Sequence, residues 1–208
     1  MAVDSTGRVQ GVLGFGAGQY ERVSVNCNGD ETGTSSVPFR GGGAQVDVWP
    51  NRKIRLTGFG GGIEADSSEW NGAYLGAVAA LEFQHLGVGL GAMGSPDEAW
   101  PSLYLRAGNA DRVHLRFDSG APSPPLNTGG AARLGVGYHM GHLRGLGGFG
   151  GLALCHARCD GNSNPALFAE VRLPVGSRFD LELRGLAGSG KDFDNTGIAI
   201  AGRMHFAR

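Results

Sequence analysis

The sequence predicts an all-β chain, a closed antiparallel transmembrane β-barrel of about twelve strands. Three observations predict it. Glycine supplies 39 of the 208 residues, far above the roughly 7% of ordinary chains, and each interior glycine costs a helix about 1 kcal/mol. Apolar and polar residues alternate with period two along most of the chain. The connections between these segments are tight and long in turn, whereas a soluble sandwich has no reason to sort its loops.

Composition removes other classes. The chain is 41% hydrophobic with a net charge of −1, so disorder is not expected. Its glycines have no triplet period, which excludes collagen. No basic run or basic patch interleaved with aromatics suggests a nucleic-acid partner. The start, Met1-Ala-Val-Asp4, lacks the apolar core of a signal peptide. The one stretch with helical-span length, 75–94, is broken at its centre by Glu82, Gln84 and His85 and is read as strands.

Twelve segments follow in order: 8–20, 39–49, 53–65, 71–83, 86–94, 99–107, 111–119, 130–139, 142–155, 165–173, 178–188 and 196–206. Turn residues punctuate them. The tight connections are Pro50-Asn51-Arg52, Gln84-His85, Gly108-Asn109-Ala110, Met140-Gly141 and Pro174-Val175-Gly176-Ser177. The long or polar ones are 21–38, 66–70, 95–98, 120–129, 156–164 and 189–195. Both chain ends then lie on the tight-turn side, with 1–7 as a terminal tail on one domain spanning 1–208.

Alternation defines two faces. In the seventh segment Val113, Leu115 and Phe117 alternate with Arg112, His114 and Arg116. In the tenth, Leu167, Ala169, Val171 and Leu173 alternate with Phe168, Glu170 and Arg172. In the eleventh, Phe179, Leu181, Leu183 and Gly185 alternate with Asp180, Glu182 and Arg184. In the last, Ile198, Ile200, Met204 and Phe206 alternate with Ala199, Ala201, Arg203 and His205. The ninth is apolar on both faces, and its orientation stays open.

A soluble barrel buries the apolar face and a membrane barrel the charged one. Aromatic placement favours the second. Trp49, Phe83, Tyr138, Phe179 and Phe206 sit at tight-turn ends; Tyr20, Trp70, Trp100, Phe117 and Phe193 sit at or near long-loop ends. Two girdles bounding an apolar band suit the two interfaces of a bilayer.

On these features the chain resembles the bacterial outer-membrane β-barrels of the porin-like class. The final strand, Ile198-Ala-Ile-Ala-Gly-Arg-Met-His-Phe206, is similar to the terminal strand that assembly machinery reads, although Ala207 and Arg208 follow its aromatic. The resemblance implies short periplasmic turns, longer extracellular loops and residence in the outer membrane after removal of a signal peptide. It also implies lipid and lipopolysaccharide as surroundings and the barrel assembly machinery as a partner in biogenesis. No cofactor or metal is expected.

With the polar face as lumen, the bases are Arg55, Arg106, Arg112, Arg116, Arg133, Arg172, Arg184 and Arg203, and the acids Asp47, Glu82, Glu170, Asp180 and Glu182. Together with Tyr104, His114 and His205, they are the candidate pore-lining groups. Such charges pair across neighbouring strands, and their positive excess can bias passage toward small anions. The function expected is a narrow passive pore for small polar solutes. The alternatives are a sealed barrel whose loops bind a partner or stabilise the surface, a membrane-embedded hydrolase, and a soluble β-barrel or sandwich.

Other motifs carry less. Gly185-Leu-Ala-Gly-Ser-Gly-Lys191-Asp192 approaches a phosphate-binding loop but follows a strand and opens no helix. Asp192-Phe-Asp194-Asn195 offers oxygens for Ca²⁺ without an ordered loop pattern. Cys155 and Cys159 are a candidate local disulfide. No catalytic constellation is recognised. The connections 21–38 and 118–129 are long enough to fold into the lumen. Glycine permits bends and strong coiling in a closed sheet, and lumen-facing glycines leave open space that side chains would otherwise fill.

Overall fold

The structure, a computed structural model, describes residues 8–28, 31–65, 72–94, 99–110, 112–119, 132–140, 143–152, 164–189 and 194–206. Twelve strands follow in order: β1 (Arg8–Val25), β2 (Glu31–Trp49), β3 (Ile54–Ala65), β4 (Gly72–Glu82), β5 (Leu86–Gly94), β6 (Ala99–Gly108), β7 (His114–Ser119), β8 (Ala132–Met140), β9 (Leu143–Leu152), β10 (Asn164–Pro174), β11 (Phe179–Ser189) and β12 (Asp194–Phe206). Each pairs antiparallel with its sequence neighbour, and β1 pairs β12 to close the barrel. Closure pairs the first strand with the last, and a closed sheet is the form in which β-structure crosses a bilayer.

The tight turns carry specific chemistry. The Asn51 side-chain oxygen accepts from the amides of Lys53 (2.8 Å) and Ile54 (2.9 Å), an Asx turn. Phe83 N donates to Leu86 O at 2.7 Å to close the β4–β5 hairpin. Gly108 and Gly176 have φ of 101° and 93°, a region that favours glycine.

The two faces are inside out relative to a soluble barrel. Outward Leu90 and Ile198 are each 68% exposed, while inward Glu182 and Asp118 are each 1% exposed. That distribution fits lipid outside and a polar interior. Phe83, Phe179 and Phe206 are exposed outward at the tight-turn ends, as expected of a girdle.

Four expectations change. The stretch 21–38 is a ribbon rather than a loop. Tyr20↔Val37 pairing continues through Val23↔Thr34 to Val25↔Glu31, with a register shift at Ser24/Val25. Its apolar residues are sparse, so alternation, the signal of a lipid-facing wall, fades there while pairing persists. The seventh strand starts at His114, not 111, because the Arg112 amide turns back to Asn109 O at 3.0 Å. Trp49 and Trp100 are not girdle residues. Trp49 lies under the Arg8 guanidinium (5.0 Å to the ring centre) at the lumen mouth, and Trp100 packs on an interior cluster.

Register also orients β9. Arg144 pairs Arg172 and Gly145 pairs Val171, so Arg144 shares the inward face and Gly145 the outward one. The stretch rejected as a membrane helix forms the β4–β5 hairpin. Gly185 to Ser189 of the phosphate-loop resemblance belong to β11, and its remainder, 190–192, lies outside the described residues.

Candidate solute pathway inside the barrel

Inward positions sort by height. Toward the tight turns they are mostly charged; toward the long loops they are mostly apolar or glycine. The charged layer begins on β4 to β7. Glu82 accepts from Arg106 at 3.1 Å and lies 3.3 Å from the Arg55 guanidinium. Arg106 also donates to the carbonyls of Phe83 (2.7 Å) and Gly108 (2.6 Å), which fastens it to the rim. Tyr104 lies between two cations, with Arg55 4.6 Å and Arg116 5.4 Å from its ring centre. Arg116 in turn pairs with Asp118 at 2.8 Å.

Across the lumen, Glu182 of β11 gathers three arginines. Arg184 bonds it directly, Arg203 stands at 3.3 Å and Arg172 at 3.5 Å. Arg184 also faces Glu170 at 3.8 Å. Arg203 donates to Gln10 at 3.2 Å and to Asp47 at 3.4 Å, and Asp47 accepts from Thr57 at 2.6 Å and Gln45 at 2.8 Å. His205 contacts Gln10 and Asp180, each at 2.9 Å. This network crosses the seam where β12 meets β1. Buried charges persist only when paired and hydrogen-bonded, and here nearly every carboxylate has an arginine.

Between these walls lies a cavity of about 210 Å³. It starts at Arg8 and Trp49 near the tight turns and rises to Val78 and Arg184. Six arginines line it (Arg8, Arg55, Arg116, Arg172, Arg184, Arg203) against four carboxylates (Asp47, Asp118, Glu170, Glu182).

Above the cavity, Phe59, Tyr74, Val78 and Met93 form a buried apolar cluster with Trp100 packed against it. Inward glycines make room for the rings. A Cβ on Gly76 would overlap the Phe59 ring, one on Gly18 the Phe39 ring, and one on Gly137 the His114 ring. Each of these glycines lies directly across the ladder from the ring it admits. A small residue beneath a cross-strand aromatic lets the ring lie along the wall.

Arg55, Glu82, Tyr104, Arg106, His114, Arg116, Glu170, Arg172, Asp180, Glu182, Arg184, Arg203 and His205 all take inward positions on the strands. Arg112 does not join them, because it sits exposed in the turn before β7. The backbone pairs Arg133 with Asp118, but its side chain lies outside the described residues. So do Cys155 and Cys159, residues 120–129 of the fourth long connection, and Asp192.

Sequence reasoning missed Asp118, taken as the start of that connection, and the whole apolar layer. Parity could have found both. Asp118 is two residues beyond Arg116, and Phe59 is four beyond Arg55. Single-residue steps along a strand alternate faces, and two-residue steps return to the same one.

No family model matches the chain, and no curated protein matches it. Solved structures do. An outer-membrane channel from Pseudomonas putida F1 is 12% identical, with 97% of this chain and 96% of that one covered and a TM-score of 0.64. A structure solved in work on the in-meso crystallisation of membrane proteins is 12% identical, with 92% and 83% covered and a TM-score of 0.50. The β domain of a Bordetella autotransporter, BrkA, is 12% identical, with 94% and 98% covered and a TM-score of 0.47. At such identity the likeness is one of fold alone, a closed antiparallel β-barrel such as the outer-membrane channel has.

Proposed function

We propose that this chain is an outer-membrane channel, a narrow passive route for small polar solutes with a slight bias toward anions. The observation that carries this reading is the polar cavity rising from the tight-turn mouth. Its volume, about 210 Å³, is below the roughly 300–1,000 Å³ of sites that enclose drug-sized ligands. Inorganic ions and metabolites of a few heavy atoms fit it. The arginine excess in the lining favours anions, and the paired carboxylates keep that preference small.

The candidate pore-lining residues are proposed in that role, apart from Arg112. Lipid and lipopolysaccharide surround the outer face in this reading, and barrel assembly machinery inserts the chain. Nothing in the arrangement of His114 or His205 recommends a hydrolase: His205 is engaged by Gln10 and Asp180, and the His114 ring lies along Gly137.

A second reading, a sealed barrel acting through its exterior, draws support from the buried ion pairs and the apolar layer. Planar-bilayer recording separates the two, once folding has been verified by heat-dependent gel migration. Discrete conductance steps, with a reversal potential on the anion side in a salt gradient, support the channel. A folded, inserted barrel without steps selects the sealed reading.

A further inference from the structure

The apolar cluster adjoins the charged cavity on the inner face of the wall. Phe59, Tyr74, Val78 and Met93 come from inward positions of three consecutive strands, and none is more than 8% exposed. They are not a stray patch of wall. Three inward glycines, Gly61, Gly76 and Gly91, make room for Tyr74, Phe59 and Val78 respectively, since a Cβ at each would collide with that side chain. The Tyr74 hydroxyl inside the cluster is out of solvent's reach and has no hydrogen-bond partner. Val78 belongs both to the cluster and to the lining of the charged cavity. The two compartments therefore meet at that side chain.

We infer that this cluster is a hydrophobic gate, a dry partition in series with the charged cavity, and that wetting at Val78 and Met93 limits the passage of polar solutes. The inference rests on the channel reading of this same lumen. Water and ions leave a short apolar constriction even where its radius would admit them, because no wall group replaces their hydrogen bonds. A gate of this kind responds to polarity at constant volume, whereas a steric plug responds only to bulk. The charged layer below then concentrates small ions at the foot of the gate without itself controlling their passage.

The test uses the full chain in planar bilayers, with folding of every variant verified by heat-dependent gel migration. Val78→Thr changes a methyl for a hydroxyl at nearly constant volume, and Met93→Gln does the same kind of exchange at a second position. Phe59→Ala removes bulk. In potassium chloride, Val78→Thr and Met93→Gln are expected to raise conductance or the open fraction several-fold over the parent. If the parent conducts and neither polar variant exceeds it, the gate is overturned while the channel stands. If Phe59→Ala alone raises conductance, the partition is a steric plug and the gate is again overturned. If every folded variant and the parent are silent, the channel reading fails and takes the gate with it.

Discussion

Tyr74 stands directly opposite Gly61 in the β3–β4 ladder, and a methyl group on Gly61 would lie 2.7 Å from the Tyr74 hydroxyl. Phe59 and Gly76 repeat the arrangement with the strands exchanged, ring on β3 and glycine on β4. The interior apolar layer is thus interlocked, each strand giving one ring and one space. This explains part of the glycine content. At these cross-strand pairs a side chain on both strands would overlap.

Gly76→Val should therefore destabilise the barrel by about 1–3 kcal/mol, the range for overpacking a filled interior. Gly58→Val should not, because Gly58 faces outward with nothing within 4 Å of its Cβ position. Urea unfolding in liposomes checks the pair. Equal midpoints for the two variants would refute the interlock.

Arg203 ties β12 to Asp47 on β2 and Glu182 on β11, across the closing seam. Arg203→Met leaves two buried carboxylates short of a partner, which should cost about 3–5 kcal/mol. Arg40→Met breaks an ion pair with Glu64 whose side chains are 75% and 64% exposed, and should cost under about 1 kcal/mol. The same unfolding assay ranks them, and a smaller loss for Arg203→Met would show that the seam does not depend on this charge.

Glu182→Gln removes the carboxylate shared by Arg172, Arg184 and Arg203. The lumen then gains net positive charge, and the reversal potential in a potassium chloride gradient should move further toward anion selectivity. Arg8→Ala, at the mouth of the cavity, should move it the other way. Shifts of the same sign for both would overturn the electrostatic account of selectivity.

Much of this architecture was legible because a bilayer imposes strict rules on strands. Period-two alternation placed twelve strands, and the sorting of tight and long connections placed the start of β1 and the end of β12 at one end. The β1–β2 ribbon beyond Tyr20 was not legible: outside the lipid no apolar face is required, so Val23 to Val25 and Thr32 to Val37 read as a polar loop. The interior was only half legible. Charges on inward positions announce themselves, as Asp180, Glu182 and Arg184 do. Phe59 and Tyr74 look like any other strand aromatics until their parity is followed from Arg55 and Glu82. Trp49 and Trp100 were misplaced for the same reason, since a ring at a strand end suits a girdle or a lumen mouth equally well.

Leu90 decides between a membrane barrel and a soluble one. It lies mid-strand on β5, 68% exposed, in an outer face that also carries Leu75 and Ile200. In water such a position tolerates charge, and Leu90→Arg would leave a soluble barrel as stable as before and easier to keep in solution. In a bilayer the guanidinium at mid-depth costs about 2–4 kcal/mol, falling toward zero near the interfaces. Thr34→Arg, in the exposed ribbon beyond the wall, should be neutral in either case. The measurement is unfolding free energy in phospholipid vesicles, read alongside the folded fraction on a gel. A loss of that size at position 90, with none at position 34, is the expected result. Equal stability of the two variants would mean that the apolar face does not meet lipid, and the channel reading would fall with it.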